Sequence, residues 1–123
     1  MKTIHTAKAP EAIGPYSQAI VHGGLLFTSG QIAINPASGQ VEADTIEGQT
    51  EQVMKNLAAL LEEAGASFDS VIKTTCFLSD MADFAAFNAI YGAYFVSKPA
   101  RSCVAVKDLP KGALCEIEAI AVK

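Results

Sequence analysis

Apolar residues recur along this chain at two different periods, and the switch between them marks its elements. Ile46, Val53, Leu57, Leu60, Leu61 and Ala64 form a stripe at helical spacing, with Glu51, Lys55, Glu62 and Glu63 off it. The pattern predicts an amphipathic helix over 46–64. Asp44 followed by Glu47 reads as a capping box, and Gly65 suits the position just past the helix. A second stripe of Phe84, Phe87, Tyr91 and Tyr94 or Phe95 predicts a helix over 84–96, capped by Asp80 or Asp83 and closed before Pro99. Between them, residues 70–79 alternate at period two and read as a strand. Ile72, Thr74, Cys76 and Leu78 form its more apolar face, the one expected to meet helices, with Val71, Lys73, Thr75 and Phe77 opposite.

The first third of the chain is strand and turn. Lys2 to His5 is a short strand, and Thr6 to Tyr16 is an extended loop holding Pro10, Gly14 and Pro15. Gln18–His22 and Leu25–Ser29 flank Gly23-Gly24, which is a hairpin signal. Gly30 then offers a backbone open to positive φ or to close approach, and Asn35–Gly39 is a further turn. Two apolar strand-like runs, one following Arg101 and one over 113–122, close the chain. The link 107–112 between them is long for a tight hairpin, so they pair directly or straddle a third strand. Strands, helix, strand, helix and two strands give a single two-layer α+β domain over 1–123: a mixed sheet with both helices on one face.

Composition adds an interface. Half the residues are hydrophobic and 18% are charged, yet no apolar run reaches the roughly 20 residues of a membrane helix. The surplus apolar surface, on the sheet face away from the helices, predicts an oligomer. The N-terminus carries no stretch of signal-peptide length, which places the protein in the cytoplasm by expectation. Cys76, Cys103 and Cys115 are odd in number and lack C-x-x-C spacing, and His5 and His22 stand alone, so neither a disulfide framework nor a metal site is expected. A net charge of −4 with lysines scattered singly disfavours a nucleic-acid surface.

The chemistry gathers near the end of the chain. Arg101 is the single arginine, and it opens one apolar run while Glu116 sits inside the next. A planar five-donor fork beside strands suits recognition of a small carboxylate or phosphate. The competing reading is an ion pair from Arg101 to Glu116 or Glu118.

Three segments, Gly14-Pro15-Tyr16-Ser17-Gln18, Thr28-Ser29-Gly30-Gln31 and Pro99-Ala100-Arg101-Ser102-Cys103-Val104, together with Glu116-Ile117-Glu118, Asn88 and Tyr91, closely resemble the RidA (YjgF) family of reactive-intermediate deaminases. The resemblance covers essentially the whole chain. It implies a chorismate-mutase-like subunit assembled as a homotrimer, with clefts at the subunit interfaces. The implied reaction is hydrolysis of 2-imino acids such as 2-iminobutanoate and 2-iminopropanoate, released by pyridoxal-phosphate dehydratases, to 2-keto acids and ammonia. By the same resemblance Arg101 binds the substrate carboxylate, and Tyr16, Ser29, Gly30, Asn88, Cys103 and Glu116 line the cleft. Glu116 is the acid–base candidate for water, and no cofactor is required.

Each assignment has a plainer counterpart. Tyr16 suits a packed interface ring, Ser29 a strand end, Gly30 a turn, and Asn88 a structural hydrogen bond. Cys103 has no histidine near it in sequence to activate a thiolate, so a small residue lending its backbone is the preferred reading. Cys76 and Cys115 read as core. At the level of function, a non-catalytic carboxylate-binding or holdase protein competes with the deaminase. A ribonuclease ranks third.

Overall fold

The two periods separate in space into two layers. The computed structural model describes residues 1–123, and its six-stranded sheet has the order β1-β2-β3-β8-β6-β7. The strands are β1 (Lys2–Ile4), β2 (Ala19–His22), β3 (Leu25–Thr28), β6 (Val71–Leu78), β7 (Ala100–Ala105) and β8 (Cys115–Val122). The helices are α1 (Ile46–Glu63) and α2 (Phe84–Tyr94), and both lie on one face. A separate two-stranded ribbon, β4 (Ile34–Asn35) and β5 (Gln40–Val41), forms around the turn at Asn35–Gly39. All neighbours in the main sheet are antiparallel except β6 and β7.

The last two strands straddle a third. β7 is reached from β6 through α2, the crossover that a parallel pair needs, and it becomes an edge strand. The long link then carries the chain past β6 to β8, which pairs antiparallel with both β6 and β3. It includes a 3-10 turn at Pro110–Gly112, where Lys111 sits at φ 57°.

α1 buries the whole predicted stripe, with Thr50, Met54 and Asn56 beside it. Its start differs from the expected Asp44 and Glu47 box. Thr45 is the N-cap, accepting from the Gly48 amide at 3.1 Å, because the helix begins at Ile46 and Asp44 stands one residue too early. Its end matches expectation: Gly65, at φ 76°, donates to the Glu62 carbonyl while Ala66 donates to Leu61. α2 is shorter than predicted, stopping at Tyr94, and a 3-10 turn over Met81–Asp83 precedes it. Asp80 caps that turn through the Ala82 amide, whereas Asp83 makes no side-chain cap.

β6 departs from strict alternation. A register shift between Val71 and Lys73 inserts Ile72 as an extra residue. Val71 therefore joins Thr74, Cys76 and Leu78 on the buried face and Ile72 is left exposed, reversing the expectation for both. The core between the layers holds Leu26, Val53, Leu57, Phe87, Phe95 and Ile117 at its centre, with Cys76 and Cys115 buried in it. Away from the helices the sheet presents Phe27, Val104 and Val122, which are 40%, 46% and 48% exposed.

Candidate active site

Arg101 is aimed by strand register. It pairs with Thr74 of β6, a fully buried residue on the helix side, so the arginine side chain runs toward α2. There Nη1 donates to Asn88 Oδ1 at 2.7 Å, and the guanidinium carbon lies 4.7 Å from the centroid of the Tyr91 ring and 5.5 Å from that of Phe84. The Tyr91 hydroxyl shares a 2.6 Å hydrogen bond with Thr74 Oγ1. A concavity of about 460 Å³ lies against Asn88, Tyr91, Phe95, Lys98 and Arg101. The ion pair to Glu116 or Glu118 does not form, because alternate positions on β8 put both acids on the far side of the sheet. Glu11 instead meets the His5 ring, whose Nε2 lies 3.0 Å from Oε2.

Cys103 follows two residues later on the same face, half-buried. Burial pushes its thiol pKa up, against the opposing pull of Arg101, so a resting thiolate is disfavoured. Cys76 and Cys115 are pushed up to about 12 and about 11 by burial and stay thiols. Burial likewise raises the Tyr91 phenol, the Thr74 bond pulling the other way.

Glu116 belongs to a second cluster. It pairs with Phe77 on the face away from the helices, and its carboxylate lies directly over Gly30. A Cβ at Gly30 would collide with Glu116 Oε2 and sit 2.8 Å from its Cδ, so close approach and not positive φ is what glycine serves here: it lets the carboxylate keep this position. Desolvation, and secondarily the charge of Glu118, raise the Glu116 pKa above the ordinary carboxylate value.

Hydrogen bonds hold the surrounding loop in place. Ser29 donates from its amide to the Gln18 carbonyl at 2.9 Å and from Oγ to the Ser17 carbonyl at 2.6 Å. The buried Gln18 side chain accepts from the Thr6 amide and donates to the carbonyls of Thr6 and Pro10. These bonds pin the segment carrying Tyr16, a residue 52% exposed whose ring lies beside Gly14. Gln31 exchanges two backbone bonds with Ile117, and its Nε2 donates to the Ser29 carbonyl at 3.2 Å. Tyr16, Gln18, Gly30, Gln31, Lys111 and Glu116 border a concavity of about 120 Å³.

The seven predicted site residues thus fall into two groups. Arg101, Asn88 and Cys103 share the helix side of the β6–β7 edge, whereas Tyr16, Gly30 and Glu116 border one concavity near β3 and β8, with Ser29 next to Gly30 but bonded back to Ser17 and Gln18 and outside the lining. Within one chain the groups do not meet. Thr74, Phe84 and Gln31 carry no site role in the sequence reading. For Thr74 the visible signal was a hydroxyl in the apolar half of β6.

A family model described as Endoribonuclease L-PSP matches residues 6–123. The 2-iminobutanoate/2-iminopropanoate deaminase of Escherichia coli K12 is 48% identical over 126 residues, covering 99% of this chain and 98% of that protein. The chain belongs to the RidA (YjgF) family. Its α+β layers match two solved members of that family. The YjgF gene product of E. coli is 46% identical with a TM-score of 0.95, covering 100% of this chain and 99% of the other. E. coli TdcF, solved with bound serine, is 43% identical with a TM-score of 0.94 over the same shares. The family model and this relative therefore carry different activity names, endoribonuclease and deaminase.

Proposed function

We propose that this RidA-family chain hydrolyses 2-imino acids to 2-keto acids and ammonia, at a cleft shared between subunits of a homotrimer. The observation that carries the reading is Arg101: a half-buried guanidinium held by Asn88 and two ring faces, with no carboxylate partner in its own chain. A guanidinium so placed has donors left for a bidentate, charge-assisted pair with a substrate carboxylate. The serine in TdcF, itself an amino acid carboxylate, supports a ligand of this kind. Tyr16, Ser29, Gly30 and Glu116 of an adjacent subunit would complete the cleft.

The chemistry asks little of the protein. A protonated C=N bond is electrophilic, and a water attacks its carbon as Glu116 takes the water's proton. The resulting carbinolamine expels ammonia after Glu116 returns a proton to nitrogen, and loss of the hydroxyl proton leaves the ketone. A raised carboxyl pKa fits a group that must both accept and return a proton, a contribution of roughly 10²- to 10⁴-fold.

The test couples the purified protein to a threonine dehydratase and follows 2-oxobutanoate or ammonia as the imine decays. Acceleration that is lost in Arg101→Ala and in Glu116→Gln is expected. Unchanged acceleration in Arg101→Ala sinks the site assignment. Binding of small carboxylates without any acceleration would favour the second reading, a non-catalytic carboxylate-binding protein, which the bound serine of the neighbour also fits.

A further inference from the structure

We propose that Thr74 and Tyr91 act as one positioning unit that sets the place and plane of the Arg101 guanidinium, and so tune substrate carboxylate binding. The inference rests on the reading of Arg101 as carboxylate anchor, and it concerns Thr74, buried behind the arginine, and Tyr91, whose ring borders the same concavity.

The geometry is a closed triangle. Thr74 is the ladder partner of Arg101 across β6 and β7, which fixes one backbone against the other. Its hydroxyl holds the Tyr91 hydroxyl at 2.6 Å, which fixes the ring. The ring in turn lies 4.7 Å from the guanidinium carbon, which closes the figure. Asn88, one helical turn before Tyr91, receives Nη1 and sets the rotation of the fork on the ring. An arginine at the start of an edge strand carries free rotamers that binding must otherwise freeze. A ring locked beneath it removes much of that freedom before substrate arrives.

The residue types fit the role. Thr74 is fully buried, so its hydroxyl has the Tyr91 oxygen and the more distant Cys76 sulfur as side-chain neighbours. A β-branched side chain restricts χ1 and keeps that hydroxyl aimed. Tyr91 is packed against the Phe87 and Phe95 rings at centroid distances of 5.8 and 4.4 Å, so its body would remain in the core without the hydroxyl. The hydroxyl pair therefore chooses the ring's setting more than its burial.

The experiment measures kcat and KM for imine hydrolysis in Thr74→Val, Thr74→Ser, Tyr91→Phe, Tyr91→Leu and Arg101→Ala, each checked for oligomeric size and Tm. Thr74→Val and Tyr91→Phe are expected to raise KM about 3- to 20-fold with kcat within about twofold, the signature of lost uniform binding. Tyr91→Leu, which also removes the ring face, should exceed both. Thr74→Ser should return KM to within about twofold of the parent, and Thr74→Val/Tyr91→Phe should be no worse than either single change, since both break one bond. A lowered Tm with unchanged KM in Thr74→Val and Tyr91→Phe would assign the pair to stability alone and overturn the proposal. If Thr74→Val does not fold, the KM of Tyr91→Phe decides by the same criterion. An Arg101→Ala protein with parental KM and kcat would instead overturn the anchor reading, whichever way the pair behaves.

Discussion

Glu116 occupies a place that costs the fold something, a cost that the proposed site would explain. Its folded pKa is raised by desolvation and by Glu118, so the folded protein holds that proton more tightly than the unfolded chain does. The sign follows directly: Glu116 favours folding below its unfolded pKa, and that contribution is lost as pH rises through its folded pKa. At neutral pH the ionised carboxylate is a net burden. Glu116→Gln should therefore raise Tm at pH 7, with the gain shrinking as pH falls through the raised folded pKa toward the ordinary carboxylate value. The same substitution should lower kcat by about 10²-fold. It should also erase an acid limb in the pH–rate profile whose midpoint lies above the usual carboxylate value of about 4.3. A parental acid limb in Glu116→Gln would assign the titration to another group. Gly30 offers a milder perturbation. Gly30→Ala places a methyl against a flexible carboxylate end in backbone that any residue adopts, so the fold should persist while Glu116 swings aside. A kcat loss of roughly 10- to 100-fold at nearly unchanged Tm is expected, since a displaced base of about 1 Å costs on that order.

At the scale of elements, α1 both fills the core and steadies the site from behind. The amide of fully buried Asn56 donates to the carbonyls of Ile32 and Ile34, at 3.0 and 2.9 Å, fixing the segment that leads away from Gln31. Asn56→Leu strands both acceptors, at a cost of roughly 2–4 kcal/mol and a Tm fall of about 8–15 °C. It should lower kcat as well, because Gln31 is tied to Ile117 next to Glu116. Thr45→Ala, at the helix start, removes only a cap, so about 1 kcal/mol of stability should go with kcat unchanged. Thermal melts with initial rates separate the two cases. The sequence shows α1 clearly because its stripe is long and its Gly65 terminator is unambiguous. It hides the bulge at Ile72, since one inserted residue leaves composition untouched while exchanging the faces of Val71 and Ile72. The place of β6 between β7 and β8 is hidden too, because strand periodicity reports which face a residue takes and not which strand lies beside it. For the site, the motif segments carry the residue identities, whereas the bond from Thr74 to Tyr91 joins a strand to a helix 17 positions away and leaves no local pattern.

The whole molecule raises the question of how the two clusters meet. Arg101 lies on the helix side of β7 and Glu116 on the opposite face of β8, so under the proposed mechanism one chain's arginine and its own glutamate do not serve the same substrate. The open sheet face, with Phe27, Val104 and Val122 exposed, is the apolar surface on which copies can pack. In a closed ring of three, each contact is heterologous, presenting one surface of a subunit to a different surface of the next. The proposed cleft then takes Arg101 from one side of the contact and Glu116 from the other. Sedimentation should report a trimer, and Val104→Asp should dissociate it and abolish imine hydrolysis together, since neither cluster suffices alone. A sharper test mixes two inactive proteins. Arg101→Ala retains an intact glutamate side and Glu116→Gln an intact arginine side. Random exchange at equal concentrations should align the two intact sides at roughly one contact in four. Activity should therefore recover to about a quarter of the parent after subunit exchange and stay at the background of the single variants without it. If each chain carried its own complete site, no mixing ratio would restore turnover, and the shared cleft would be wrong.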